Sequence, residues 1–287
     1  MTSLQELVNS LCIPNVREQA LFELSTKTEL FDDLAILLWA SSSVMTALLQ
    51  EIIAIYPDLS NEALTLVQSN KVCNILALFQ CIASHPDTRM PFISAQMPIY
   101  VYPLLNTRFN SKPFEYLRLA SVGVIGALVK VDDTKVITFL TSTEVMPMCL
   151  FTMDVGSELT KTVATFIVQK ILLDDVGLQY VCASAERFTA VVRGFRNMLA
   201  YLAEKHSPRL FKRIIRCYLC LSEDPRRGGD ALRRLLPTML TDGTFTSYIH
   251  DDPTTRAWVQ QLLEKVGVNR VPGVGGELDR LMNNMRI

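Results

Sequence analysis

Val163-Ala164-Thr165-Phe166-Ile167-Val168-Gln169-Lys170-Ile171-Leu172-Leu173-Asp174-Asp175 is an apolar run at helical spacing that stops on an acidic pair. The same arrangement comes round three more times. It occurs as 73–84 before His85-Pro86-Asp87, as 119–131 before Asp132-Asp133, and as 210–221 before Glu223-Asp224-Pro225. Between the acids the spacings are 46 (Asp87 to Asp133), 42 (Asp133 to Asp175) and 49 residues (Asp175 to Asp224). A period in this range belongs to stacked helical repeats, in which each unit covers its apolar side only against its neighbours. Such an array offers surface rather than chemistry, so function is to be sought in what the surface holds.

The rest of the chain reads as helix almost throughout. Pro14 opens a helix over 15–26, where a missing N–H matters least, and 31–39 and 44–56 follow. Pro57 and the turn-forming residues to Glu62 end the third. A long helix over 70–84 begins the first clear repeat, and Pro86, Pro91, Pro98 and Pro103 break the next stretch into short pieces. After the polar loop 106–112 come helices over 114–131, 133–140, 144–153, 158–173, 176–183, 185–205, 208–221 and 229–236. No segment alternates with the two-residue period of a sheet. The acidic pairs, recurring at one point of the repeat, are expected to cap the helices that follow them. Gly123 and Gly126 share one helix face and are expected to admit a neighbouring helix at close range. Residues 1–265 read as a single repeat domain, and 266–287, rich in Gly and Asn, as a flexible tail.

In each repeat the last helix carries a polar line on an otherwise apolar rod: Asn70, Asn74 and Ser84; Glu115 and Arg118; Glu158, Lys161, Thr165 and Gln169. Side by side, these lines predict a concave groove formed by Asn70, Asn74, Arg118, Gly123, Lys161, Thr165 and Gln169.

Composition narrows the function classes. With 49% hydrophobic residues and a mean hydropathy of +0.23 over 287 residues, a large continuous core is affordable. The longest apolar run, 119–129, is closed by Arg118 and Lys130 and falls short of the roughly 20 residues needed to span a bilayer, which argues against a membrane protein. Residues 1–9 hold one acid, Glu6, and no base, unlike a secretory signal. Seven cysteines scattered through apolar runs suit reduced thiols of the cytosol or nucleus. The net charge of −1 hides a segregation: 187–234 has 12 Lys/Arg against 4 Asp/Glu, a balance of +8, leaving −9 elsewhere. Within it, Arg209, Lys212, Arg213 and Arg216 fall on one broad helix face. That face makes direct binding of single-stranded RNA the alternative function, against the plainer reading of a solvated outer surface.

No catalytic frame accompanies the reactive residues. His85, His206 and His250 sit in turns without a nucleophile motif. Cys217-x-x-Cys220 has no second ligand pair and lies inside an apolar helix. Gly273-Val274-Gly275-Gly276 follows no strand, so a phosphate loop is not expected. The expectation is neither an enzyme nor a metal or cofactor protein.

Longer strings are more specific. Gln68-Ser69-Asn70-Lys71-Val72-Cys73-Asn74, Ala83-Ser84-His85-Pro86-Asp87-Thr88-Arg89, Pro113-Phe114-Glu115-Tyr116-Leu117-Arg118-Leu119, Gly123-Val124-Ile125-Gly126-Ala127-Leu128-Val129-Lys130, Gly156-Ser157-Glu158-Leu159 and Gln169-Lys170-Ile171-Leu172-Leu173-Asp174-Asp175 closely resemble the required-for-cell-differentiation (Rcd-one, Caf-forty) family over roughly residues 15–245. The resemblance implies an all-α fold, an armadillo-like right-handed superhelical solenoid of about six helical repeats. It also implies a non-catalytic subunit of the CCR/NOT deadenylase complex, cytoplasmic (including P-bodies) and nuclear. Such a subunit docks on the NOT scaffold and receives peptide motifs from mRNA-binding or silencing proteins. Carried over by position, Val163 matches a scaffold-docking residue, Pro147, Arg187 and Arg226 match a tryptophan-pocket region, and Gly123 lies where a larger side chain would obstruct a peptide in the groove. Two departures bear on partner choice. Ala185 stands where the family usually has tyrosine, and Ala40 and Ser42 replace ring side chains after Trp39. Self-association as a homodimer stays open.

Overall fold

Prolines and short polar side chains set where the helices begin. The computed structural model describes residues 3–31 and 33–268, built from α-helices and short 3-10 turns with no strand among the described residues. The first helices are α1 (Leu4–Ser10), α2 (Pro14–Thr26), α3 (Leu34–Ala40), α4 (Ser42–Ala54) and α5 (Leu66–Ser84). Sets of three follow: α6 (Pro86–Ser94), α7 (Tyr102–Leu105) and α8 (Lys112–Leu128); α9 (Thr134–Ser142), α10 (Val145–Val155) and α11 (Glu158–Leu173). The last two sets are α12 (Asp175–Ala183), α13 (Ala185–Glu204) and α14 (Pro208–Ser222), then α15 (Asp230–Leu235), α16 (Thr246–Asp251) and α17 (Pro253–Lys265).

The capping role expected of the acids holds in two repeats and changes hands in a third. Asp133 accepts from the amide of Lys135 at 2.9 Å, and Asp174 from those of Val176 at 3.0 Å and Gly177 at 3.4 Å. Ahead of α6 the acceptor is instead His85 Nδ1, 3.2 Å from the Asp87 amide. That bond places the imidazole in a structural role. Each such cap satisfies amides that the helix leaves unpaired and contributes about 1 kcal/mol.

Three helices extend the sequence reading. α1 opens on a capping box between Ser3 and Glu6. α5 starts at Leu66 rather than at residue 70 because Thr65 and Gln68 form a second box. α17 opens on Asp252-Pro253, with Asp252 accepting from Thr254 N at 3.0 Å. Val266, the first residue of the expected flexible tail, is instead buried and caps α17, and the tail from residue 269 lies outside the described residues.

Packing gathers into two compact units, Met1–Ile167 and Val168–Ile287. In the first, Phe79, Phe92 and Phe114 are fully buried, and the Phe79 and Phe92 rings meet edge to face at 5.4 Å. In the second, Phe211, Phe245 and Tyr248 form an aromatic cluster with centroids 4.7 to 5.5 Å apart.

Side-chain hydrogen bonds inside each unit carry the repeat period. In the first, Tyr56 Oη donates to Tyr100 O (2.6 Å), Ser69 Oγ to Pro113 O (2.7 Å) and Gln80 Nε2 to Ala120 O (3.2 Å), at separations of 44, 44 and 40 residues. In the second, Arg213 donates to Gln169 (2.7 Å), Arg227 Nε to Cys182 O (2.6 Å) and Tyr248 Oη to Leu202 O (2.9 Å), at 44, 45 and 46. Each links equivalent places in successive repeats, as stacking of like units requires.

The two expected packing glycines do different things. A Cβ at Gly126 would stand 3.3 Å from Val163 Cγ1, so this glycine does let α11 approach α8 closely. At Gly123 a Cβ would lie 2.6 Å from Gln80 Nε2. There the space is taken by the amide with which α5 reaches the α8 backbone.

Candidate functional site

Third helices of successive repeats present matching stripes to one open groove in the first unit, about 600 Å³ in volume. α5 contributes Asn70, Cys73, Ala77 and Gln80; α8 contributes Tyr116, Leu119, Ala120 and Gly123; α11 contributes Leu159 and Val163. Each set recurs at three- or four-residue steps, one face of a helix. The lining is apolar apart from the two amides and the Tyr116 hydroxyl, and carries no charge. Leu159 is 57% exposed and Tyr116 44%, although both are large and apolar. Burial pushes the Cys73 thiol up to about 11, so it is neutral and unreactive at physiological pH.

A buried polar frame stands behind the α8 and α11 walls. Arg118, fully buried, pairs through Nη1 with Glu115 and donates from Nη2 to the carbonyls of Thr107 and Phe109, each at 2.9 Å. Glu115 Oε1 accepts from Ser157 N at 2.9 Å and from Thr160 Oγ1 at 2.6 Å. Lys161 turns back to donate to Met153 O at 2.6 Å and to Asp154 O at the end of α10. Burial lowers the Lys161 pKa, with the charges of Asp154 and Glu115 opposing that shift.

These contacts correct the sequence reading of the groove. Of the seven residues expected to line it, Arg118, Lys161 and Thr165 are buried, and Thr165 Oγ1 bonds to Lys161 O in its own helix at 2.8 Å. Gln169 engages Arg213, and Asn74 is half-buried beside the lining. Asn70 and Gly123 are the two that line the groove, joined by Val163, which the sequence had assigned to scaffold docking alone. Missed were Cys73, Ala77, Gln80, Tyr116, Leu119, Ala120 and Leu159. Their signal was apolar and small residues at helical spacing one step round from the polar line.

Pro147, in α10 of the first unit, is exposed. In the second unit the Arg187 guanidinium lies 3.9 Å from the Tyr180 ring centroid, so an aromatic surface adjoins Arg187 despite Ala185. Arg226 is exposed, its amide held by Asp224 at 3.0 Å. On the basic face of α14, Lys212 pairs with Asp252 at 2.7 Å, Arg213 is bound to Gln169, and Lys212 and Arg216 lie over Trp258 at 5.4 and 5.5 Å. Arg209 remains exposed. Three of the four cations expected to meet RNA are therefore half-buried and tied into the second unit's own packing.

Cys217 and Cys220 are buried in α14, and burial raises both thiol pKa values. Among the described residues no cluster of His, Cys, Asp and Glu has metal-holding geometry, and no single helix is long and apolar enough to cross a membrane.

Two partly buried carboxylates make stability depend on acid: Glu115 of this frame, and Glu51 in α4, which pairs with Arg17 and Lys71 at 2.6 Å each. Burial opposes ionisation of both Glu51 and Glu115. For Glu51, hydrogen bonds and charge from Lys71 and Arg17 outweigh it; for Glu115, hydrogen bonds from Ser157 and Thr160 and the Arg118 charge do, and both pKa values fall. A carboxylate whose folded pKa is depressed contributes stability above the unfolded value, about 4.3, and loses it as pH falls through the folded one. Melting temperature is expected to hold steady as pH falls from 7 to about 5 and to drop below about 4.5, with a weaker drop in a Glu51→Gln, Glu115→Gln double variant. Scanning calorimetry across that range checks it.

Repeated three-helix units whose third helices share a groove define an armadillo-type repeat protein. A solved structure of computationally designed armadillo repeat proteins for modular peptide recognition matches the fold with a TM-score of 0.64 at 16% identity, over 92% of this chain and 100% of that one. The sequence then places the chain within that class. It belongs to the cell differentiation family, Rcd1-like, which matches residues 7–266. It is 58% identical over 247 residues to the cell differentiation protein rcd1 of Schizosaccharomyces pombe, covering 86% of this chain and 87% of that one. To the protein CAF40 of Saccharomyces cerevisiae it is 53% identical over 248 residues, covering 86% and 66%. The resemblance drawn from the sequence strings is thus the right family.

Proposed function

We propose that this chain is a non-catalytic subunit of the CCR/NOT mRNA deadenylase complex. In this reading it docks on the NOT scaffold and holds peptide motifs of mRNA-binding or silencing proteins, bringing their transcripts to deadenylation, decay and translational repression. The observation that carries the reading is the uncharged, open groove over α5, α8 and α11. An amphipathic helix inserts apolar side chains at i, i+3 or i+4 and i+7, and such a face is matched by walls of Leu119, Ala120, Leu159 and Val163. Asn70 and Gln80 supply the few polar contacts that set register and direction. Nothing in the lining pairs a nucleophile with a base, and its one thiol is held neutral. Family membership and the likeness to CAF40 support the assignment to the complex.

Val163→Glu tests it. The glutamate would put a charge into an apolar contact, which disfavours any partner that desolvates it. Affinity purification of the tagged variant is expected to lose the NOT scaffold, with thermal unfolding within a few degrees of the parent. Full retention of the scaffold would remove Val163 from the interface.

A further inference from the structure

We infer that Glu115 is a positioning residue for the groove: from outside the lining, its carboxylate holds the first turn of α11, and with it Leu159 and Val163, against α8. Helix N-termini are normally capped by the residues just before them. Here Ser157 Oγ makes the local contacts, to Thr160 Oγ1 at 3.0 Å and Thr160 N at 3.4 Å. The Ser157 amide and the Thr160 hydroxyl proton go elsewhere. Both are taken by Glu115, 42 and 45 residues earlier in the chain. The second Glu115 oxygen is held by Arg118, which is locked to the loop before α8 through Thr107 O and Phe109 O. One carboxylate therefore links that loop, α8 and the start of α11.

Placement gives this link its consequence. Tyr116 follows Glu115 directly and faces the groove from α8, while Leu159 precedes Thr160 and faces it from α11. Apolar packing secures the next turn more than this end: Val163 meets α8 at Gly126 and the buried Ala164 and Ile167 follow it, whereas Leu159 and Tyr116 are 57% and 44% exposed. Lys161 ties the same turn to the carbonyls of Met153 and Asp154, which fixes it to α10. Its hydrogen-bonded tie to α8 is Glu115. Loss of the carboxylate also leaves the buried Arg118 charge unpaired and lowers overall stability, but Arg118 keeps its bonds to Thr107 O and Phe109 O, so the excess loss of protection should fall on the α11 wall.

Hydrogen exchange of the full-length chain, read by mass spectrometry, tests this with Glu115→Ala and Glu115→Gln. In the alanine variant, exchange at amides 157–163 is expected to rise about tenfold, as loss of one or two hydrogen bonds to a carboxylate requires. Amides in α5 are expected to change little. Glutamine keeps an acceptor for Ser157 and Thr160 and is expected to recover most of the protection. Unchanged exchange at 157–163, an equal rise throughout α5 and α8, or no rescue by glutamine would each overturn the positioning role. Capture of the NOT scaffold, which rests on the proposed function, is a separate arm. If exchange responds as expected and capture does not, the positioning role stands and the docking reading of the groove fails.

Discussion

Gly177→Ala is expected to lower folding stability by roughly 3 kcal/mol or more, beyond the usual range for added core volume. The added Cβ would stand 1.9 Å from the carbonyl oxygen of Ile171 and 2.8 Å from its carbonyl carbon and Cγ2. The obstacle is backbone in the last turn of α11, so no side-chain rotation relieves it. Relief would need α12 to move off α11, which would stretch the Asp174 cap on the Val176 and Gly177 amides. The measurement is urea or thermal unfolding beside the parent protein, with a melting temperature lower by roughly 5–10 °C. A variant melting within about 2 °C of the parent would show that this junction yields.

Arg118→Met is expected to cost about 3–5 kcal/mol, the range for removing one partner of a buried charge pair. Methionine fills much of the volume but donates nothing. It would leave the Glu115 oxygen and the carbonyls of Thr107 and Phe109 without their donor. Lysine should not substitute, because a single ammonium lacks the planar fork that reaches the carboxylate and both carbonyls at once. Chemical denaturation of both variants decides the matter. Were Arg118 a solvent-facing groove residue, as its place in the polar line suggested, both substitutions would fall within about 0.5 kcal/mol of the parent.

Much of the fold was legible because its signals are local. Pro14, Pro86 and Pro208 stand at helix starts, Asp133 and Asp174 at caps, and the apolar runs between them come at one period. The helices missed, α1, α16 and α17, lie outside residues 73–224, the stretch over which the apolar run and its acids recur. The groove was legible only in part. Its helices were correctly chosen, yet the line along them was displaced. Polarity on these helices does not mean exposure, because Arg118 and Lys161 are long enough to turn inward and serve carbonyls that loops and helix ends leave unpaired. On the basic face of α14, too, Lys212 and Arg213 meet partners one repeat away, Asp252 and Gln169.

By itself the sequence determined most of the helices, the Asp133 and Asp174 caps, the repeat period and the family, because these depend on residues within a few turns of one another or on long shared strings. Tertiary structure alone decided which stripe of each third helix faces the groove and which polar side chains are structural. That choice depends on contacts made 40 to 46 residues away, between stacked repeats. Helical periodicity marks a face on each rod, but only packing against the next rod sets which way that face turns.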